Sequence, residues 1–332
     1  MNPDTLLPVQ TANQLPVRTE AQRWLVTGLW LDQAVGVLGG EPKCCKSFLA
    51  LDVAVAVASG TACLRHFPVP VPGRVLLYAA EDALHIVRRR LEGICAAAEV
   101  DLAELDVHVI TAPTVRLDLP ADRDRLEHTV EHLKPRLLVL DPFVRLHRID
   151  ENISGEVAPL LAYLRELQRR HQLAVLLVHH AKKGGARLRA GQALRGSSEF
   201  HAWGDSNLYL RRTDDDLTLS VEHRAAPSLP SISLELLQRG ESLALALRVA
   251  AAVDSVDDAP ASASVDERII DALRQVDHPL SATELRARCA VRKATFYARV
   301  TQLIGEGRLV HSAGGYSLPT GDVGAQTGIG NS

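Results

Sequence analysis

Residues 39–47 read Gly39-Gly40-Glu41-Pro42-Lys43-Cys44-Cys45-Lys46-Ser47. The stretch follows an apolar run, AVGVL, and precedes the apolar segment FLALDVAVAVA. A β-prone run, a tight loop and an apolar helix in that order, closing on Lys-Ser, match the phosphate-binding pattern G-x-x-x-x-G-K-[ST]. In such a loop, backbone N–H groups of Gly40, Glu41, Pro42, Lys43, Cys44 and Cys45 (Pro42 excepted as a donor), with the helix N-terminus, surround phosphate oxygens. Lys46 would neutralise β/γ-phosphate charge and the Ser47 hydroxyl would ligate Mg²⁺. One position departs from the pattern: Cys45 stands where a second glycine is usual. Its Cβ requires either a negative φ or some loss of nucleotide affinity. A chance strand–turn–helix would look similar in isolation, so the rest of the chain must decide.

Three further strand ends carry polar groups suited to the same chemistry. RLLVLDPF places Asp141 at the end of an apolar strand, where a carboxylate can hold the Mg²⁺ shell; the bland alternative is a loop-starting cap. RVLLYAAED ends on Glu81 and Asp82. Glu81 is the candidate general base for an attacking water, and Asp82 is expected to cap the helix ALHIVRRRL. LAVLLVHH ends on His179 and His180, either of which could sense a γ-phosphate through a hydrogen bond. A pair of histidines can equally be no more than a strand terminus.

Outward from these motifs, residues 24–249 alternate short apolar runs with helix-like segments, the pattern of an α/β domain. AVGVLGG, RVLLYAAED, VHVIT, RLLVLDPF and LAVLLVHH are apolar on both faces, as parallel strands covered by helices should be. NLYLRR, LTLSVEH, SISLELL and LALALRV are short and closely spaced, and predict an antiparallel extension. Residues 1–23 are polar with scattered Pro and read as an extended arm. Residues 250–264 form a small-residue, acidic linker. Residues 265–319 predict three helices (265–276, 281–289 and 292–305) and a hairpin around RLVHSAGGYSLP, with Ser281 and Glu284 spaced as a capping box. Residues 320–332 lack apolar patterning and read as a disordered tail.

Composition narrows the function classes. The 332 residues suggest roughly two domains at about 150 residues each. Lys plus Arg is 37 and Asp plus Glu is 40, a formal charge of −3 that excludes a uniformly basic nucleic-acid coat but not a local basic groove. The five cysteines, Cys44, Cys45, Cys63, Cys95 and Cys289, are odd in number and lack zinc-site pairing, which suits a reducing cytoplasmic compartment. MNPDTLLPVQTANQLPVRTE has neither the basic nor the apolar region of a signal peptide. No stretch is long and apolar enough to span a bilayer, so no membrane partner is expected.

Taken together, WLVTGLW, GGEPKCCKS, YAAED, LVLDPF, VHHAKKGG, LRGSSEFHAWGDS and VEHRAAP resemble the RecA-like ATPases of the plasmid replication helicase RepA type, the AAA_25 family. The resemblance covers roughly two thirds of the chain. It implies a doubly wound, mostly parallel sheet, assembly into a ring expected to be a hexamer, and ATP with Mg²⁺ at subunit interfaces. It carries Lys46 and Ser47 to phosphate and Mg²⁺, Asp141 to Mg²⁺, Glu81 to the base, and His180, with His179 as alternative, to the sensor. A neighbouring subunit normally adds an arginine. Where the RepA helicase has it, this chain has Asp205; Arg224 matches the strand-borne arginine of DnaB-type rings, and Arg195 is second choice.

The stretch AKKGGARLRAGQALRGSS holds Lys182, Lys183, Arg187, Arg189 and Arg195 with no acidic residue. In RecA-like rings the corresponding loop lines the channel and tracks a single-stranded nucleic-acid backbone; the alternative is a solvated loop. Residues 265–319 resemble a winged helix–turn–helix, with Arg292, Lys293, Thr295, Tyr297 and Arg299 on its recognition helix. That segment carries a formal charge of only +2 and is weakly basic; winged helices contact either duplex DNA or a protein partner. The leading expectation is an ATP-hydrolysing, RepA-like helicase or motor acting on single-stranded DNA in replication. The alternative is an ATP-switched DNA-binding regulator of a mobile element, with slow or no turnover. A recombinase-like filament former is a third reading, weakened by the lack of an evident N-terminal oligomerisation helix.

Overall fold

A computed structural model of the chain describes residues 7, 9–180, 199–213, 216–239, 242–248, 265–276, 278–289, 293–312 and 315–319. The chain divides into two units, Met1–Ala252 and Val253–Ser332. The basic stretch with Lys182, Lys183, Arg187, Arg189 and Arg195, the 250–264 linker, Arg292 and the 320–332 tail lie outside the described residues.

In the first unit a small hairpin, β1 (Trp24–Val26) and β2 (Trp30–Leu31), leads into β3 (Val35–Gly40) and the loop quoted above. Helix α1 (Lys46–Ser59) follows. Its composition is apolar all round, and accordingly ten consecutive or near-consecutive side chains from Lys46 to Val57 are buried. Then come β4 (Val75–Ala79), α2 (Leu84–Ala98), β5 (Val107–Val109), α3 (Pro120–Leu133) and β6 (Leu137–Asp141). Next are α4 (Ser154–His171), β7 (Ala174–His180), α5 (Glu199–Trp203), β8 (Ser206–Thr213), β9 (Asp216–His223), β10 (Ile232–Arg239) and β11 (Ser242–Leu247).

These strands form one nine-stranded sheet in the order β11-β10-β9-β8-β3-β7-β6-β4-β5. Alternate residues of each core strand serve opposite cores. Leu38, Leu77 and Val139 pack with α1 and α2, whereas Val37, Leu76 and Leu138 pack with α3, α4 and Phe200 of α5. The two-faced burial anticipated for the parallel strands is therefore present. β8 differs from expectation: it pairs in parallel with β3 and antiparallel with β9. Its first five residues are buried, so it is a core strand, and the antiparallel extension begins only at β9. Gly36 permits this neighbour, since a Cβ there would lie 1.6 Å from the Ser206 carbonyl oxygen.

The described part of the N-terminal arm is not wholly extended. A short 3-10 turn covers Ala12–Gln14, and Arg18 reaches Asp32 at 3.3 Å and Gln33 at 2.6 Å. No helix among the described residues is long and apolar enough to cross a membrane.

The second unit contains α6 (Val265–Arg274), α7 (Ala282–Cys289), α8 (Lys293–Gly305) and a hairpin of β12 (Val310–Ser312) and β13 (Gly315–Ser317). Ile269, Leu273, Leu285, Phe296, Val300 and Leu303 close its own small core. The capping box forms: Glu284 N–H donates to Ser281 Oγ at 3.3 Å, and Ser281 N–H donates back to Glu284 Oε2 at 3.1 Å. Arg299 departs from its reading as an exposed recognition residue. Its Nε donates to Asp266 at 2.8 Å, tying α8 to α6.

Candidate active site

The parallel strands all deliver their polar ends to one edge of the sheet. Gly40 of β3 is in register with His180 of β7, and Asp141 of β6 with Ala79 of β4, just before Glu81 and Asp82. The loop ends of an open α/β sheet are where such folds place ligands. Here a cavity of about 290 Å³ is lined by Lys43, Cys45, Lys46, Ser47, Phe48, Glu81, Asp82, Arg90, Asp141 and His180.

The loop itself is tightly built. A Cβ on Gly40 would meet the Leu210 carbonyl oxygen at 2.5 Å and Cys44 Sγ at 2.6 Å, so only glycine fits. Cys44 is buried beneath the loop, and that burial pushes its thiol pKa up. Lys43 and Cys45 both take left-handed backbone, at φ 65° and 66°. The negative φ that Cys45 would prefer is therefore not adopted; the loop geometry overrides the side chain. Left-handed backbone costs a non-glycine residue about 1–2 kcal/mol. Cys45 recovers part of this, because Arg212 Nη2 donates to its Sγ at 3.3 Å. Cys45→Gly is accordingly expected to stabilise the protein by about 1 kcal/mol and to tighten nucleotide binding. Thermal melts and a calorimetric ATP titration check this, and a lower melting temperature would contradict it.

Lys46 is 6% exposed. Its Nζ donates to the Glu41 carbonyl at 2.8 Å, so the ammonium is folded back over its own loop. Ser47 hydrogen-bonds the Asp141 carboxyl. Burial raises the Asp141 pKa to about 6, against the lowering effects of Ser47 and Lys46 and with Asp82 and Glu81 adding repulsion. The nucleotide-free fold therefore keeps Asp141 protonated to a higher pH than an ordinary aspartate, and above about pH 6 it must carry a buried charge. The stability linked to this group is complete below its ordinary value of 3.8 and lost as pH rises through about 6. Asp141→Asn should thus stabilise the nucleotide-free protein at pH 7.5 by about 2 kcal/mol, with little gain at pH 4. Melting curves at the two pH values test this; equal gains at both would contradict it.

The two histidines separate, as alternation along β7 requires. His180 lines the cavity. His179 turns to the other face, 1% exposed, stacked on Phe200 at 4.2 Å and edge-on to Phe143 at 6.0 Å. His179 is thus a core residue, and the sensor reading rests on His180 alone. Asp82 does not cap α2 either. Ala83 holds the N-cap position without a side-chain bond, and Asp82 pairs with Arg90. Arg90 also lies over the Phe48 ring at 5.1 Å. Glu81 accepts a hydrogen bond from Arg145 Nε at 2.9 Å.

Arg224 is not at this cavity. Its N–H bonds the Asp205 carbonyl, and Asp205 N–H bonds Val35, the first residue of the strand that ends at Gly40. Five residues of strand put it about 16 Å away, on the opposite edge of the sheet. There Asp205 holds both Arg165 and Arg224, the latter at 3.4 Å. Arg90, Arg145 and Arg212 were not singled out from sequence. Arg145 lies four positions after Asp141, and Arg90 lies on the helix that leaves the Glu81 strand, which were the available signals.

β7 lies between the loop-bearing β3 and the Asp141-bearing β6. This strand order, with the loop, defines a RecA-type P-loop ATPase fold. The AAA_25 family model, an AAA domain, matches residues 2–186, and the chain belongs to that family. Among solved structures, a KaiC-like protein of the hyperthermophilic archaeon Pyrococcus horikoshii OT3 aligns at 13% identity and a TM-score of 0.47, over 70% of this chain and 100% of its own. A DnaB-like replicative helicase, described with its interactions with primase, aligns at 13% identity and a TM-score of 0.47. That alignment takes in 64% of this chain and 57% of the helicase chain.

The family implies a nucleotide with Mg²⁺, and the donor set suits both. Ser47 and Asp141 offer hard oxygens side by side. Among the described residues no group of three or more His, Cys, Asp or Glu could hold a metal by itself. That is the usual condition of Mg²⁺, which takes few protein ligands and completes its shell with phosphate and water.

Proposed function

We propose that this protein is a Mg²⁺-dependent ATPase of the RepA-like replication helicase type, acting as a ring, with six subunits, on single-stranded DNA. The observation that carries the reading is the convergence of Lys46, Ser47, Glu81, Asp141 and His180 on one cavity at the loop ends of the sheet. In this reading Lys46 and the loop N–H groups bind the β- and γ-phosphates. Glu81 orients the attacking water and takes its proton as the bond between the γ-phosphorus and the ADP oxygen breaks. His180 hydrogen-bonds the γ-phosphate and reports its loss. Mg²⁺, when bound at Ser47 and Asp141, offsets charge on the β- and γ-oxygens.

The DNA part of the proposal rests on sequence. The basic stretch begins two residues after His180, so the sensor and the phosphate-contacting lysines and arginines share one segment. Residues 265–319 would serve as a winged helix that contacts duplex DNA or a partner protein. Of the recognition candidates there, Lys293, Thr295, Tyr297 and Arg299 belong to a described helix, α8. Arg224, presented on the far edge of the sheet, would complete a neighbour's site rather than its own.

A second reading, an ATP-switched DNA-binding regulator with slow or no turnover, is favoured by one feature. Lys43 and Cys45 hold left-handed backbone in the loop where glycine would be unstrained. ATP hydrolysis by the full chain with and without single-stranded DNA, alongside native mass, separates the two. The helicase reading expects stimulation of at least several-fold and a hexameric mass; a slow rate indifferent to DNA would overturn it.

A further inference from the structure

We propose that Arg145 is a positioning residue for Glu81, fixing over the cavity the carboxylate that the proposed function uses as general base. The inference rests on that reading and adds a residue to it.

Three carboxyl groups face the cavity, and each has its own restraint. Asp141 is bonded to Ser47, Asp82 is paired with Arg90, and Glu81 is held by Arg145 Nε at 2.9 Å. Glu81 most needs such a restraint. It lies past the end of β4, its side chain is 42% exposed, and a free glutamate samples many rotamers. Arg145 comes from a backbone fixed on both sides. It ends a 3-10 turn, Phe143–Arg145, whose first residue, Phe143, and following residue, Leu146, are fully buried. Leu146 and His147 carbonyls accept from Leu117 N–H and Arg116 Nη1, each at 2.6 Å. A rigid turn therefore presents a guanidinium to a mobile carboxylate.

The pair is poorly suited to stabilising the fold. Arg145 is 61% exposed, and exposed pairs contribute little to folding. Orientation is a different matter, because a base held within reach of the attacking water raises the rate without changing how ATP binds. The pair also links the strand end that carries Glu81 to the turn that follows Asp141.

The test is a double-mutant cycle on the full chain, read by single-turnover ATP hydrolysis, with ATP affinity measured separately by calorimetry. Arg145→Ala is expected to slow hydrolysis about 5- to 10-fold with unchanged ATP affinity and melting temperature, and Arg145→Lys to restore part of the rate. In a Glu81→Gln background, Arg145→Ala should slow hydrolysis no further. A wild-type rate in Arg145→Ala beside an inactive Glu81→Gln overturns the inference alone. So does an equal loss from Arg145→Ala in both backgrounds. A wild-type rate in Glu81→Gln removes the base itself, and with it the reading on which the inference rests.

Discussion

Lys46→Ala is expected to weaken ATP binding by at least 10-fold and to lower hydrolysis by at least about 100-fold. The ammonium is almost wholly buried and sits at the N-terminus of α1, folded onto the Glu41 carbonyl. A phosphate entering the loop would meet this charge in a partly desolvated site, where one such donor contributes about 3–4 kcal/mol to transition-state stabilisation. Lys46 also favours the ionised form of Asp141. Its loss would leave that carboxyl facing Asp82 and Glu81 without the cation that most favours its ionised form. Calorimetry for ATP affinity and phosphate release for turnover check this. ATP affinity within threefold of wild type would contradict it.

Glu81→Gln is expected to leave ATP affinity within a few-fold of wild type while hydrolysis falls about 100- to 10,000-fold, the usual range for removing a general base. The change keeps the side chain's size and its acceptor oxygen toward Arg145, so the site should remain assembled. This variant separates the two readings of function. A motor with trapped ATP should bind single-stranded DNA and fail to move on it. A regulator that needs only ATP binding should work unimpaired. Hydrolysis within twofold of wild type would remove Glu81 from the base role.

Much of the site could be read from the chain because each element of it lies at the end of an apolar strand. The Gly40–Ser47 loop, Glu81, Asp141 and the His179–His180 pair each follow four or more apolar residues, and the sheet brings those ends to one edge. The pairing of strands was less legible. β8 looks antiparallel because its polar second half, with Arg211 and Arg212, resembles the extension strands. Its parallel partnership with β3 depends on the missing side chain at Gly36, 170 residues earlier. The choice between His179 and His180 needed the phase of β7, which a run of buried residues does not reveal. Cys45 gave the opposite backbone to the one its side chain prefers, because the loop's closure between β3 and α1 outweighs a local cost of about 1–2 kcal/mol. Asp82 was drawn away from the helix end by Arg90, two turns along the same helix, a contact that competes directly with capping. In the second unit the Ser281–Glu284 spacing predicts a cap whose two hydrogen bonds both form, whereas the Arg299–Asp266 pair joins residues 33 apart and had no local signal.

In the proposed function the Lys46–Ser47–Glu81–Asp141 cavity hydrolyses ATP. The most direct measurement is phosphate release by the purified full chain with ATP and Mg²⁺, beside the Glu81→Gln variant and a chelated control. Saturable release that requires Mg²⁺ and collapses in Glu81→Gln is the predicted result. ATP binding without release above the chelated control, in the presence and absence of single-stranded DNA, would contradict it.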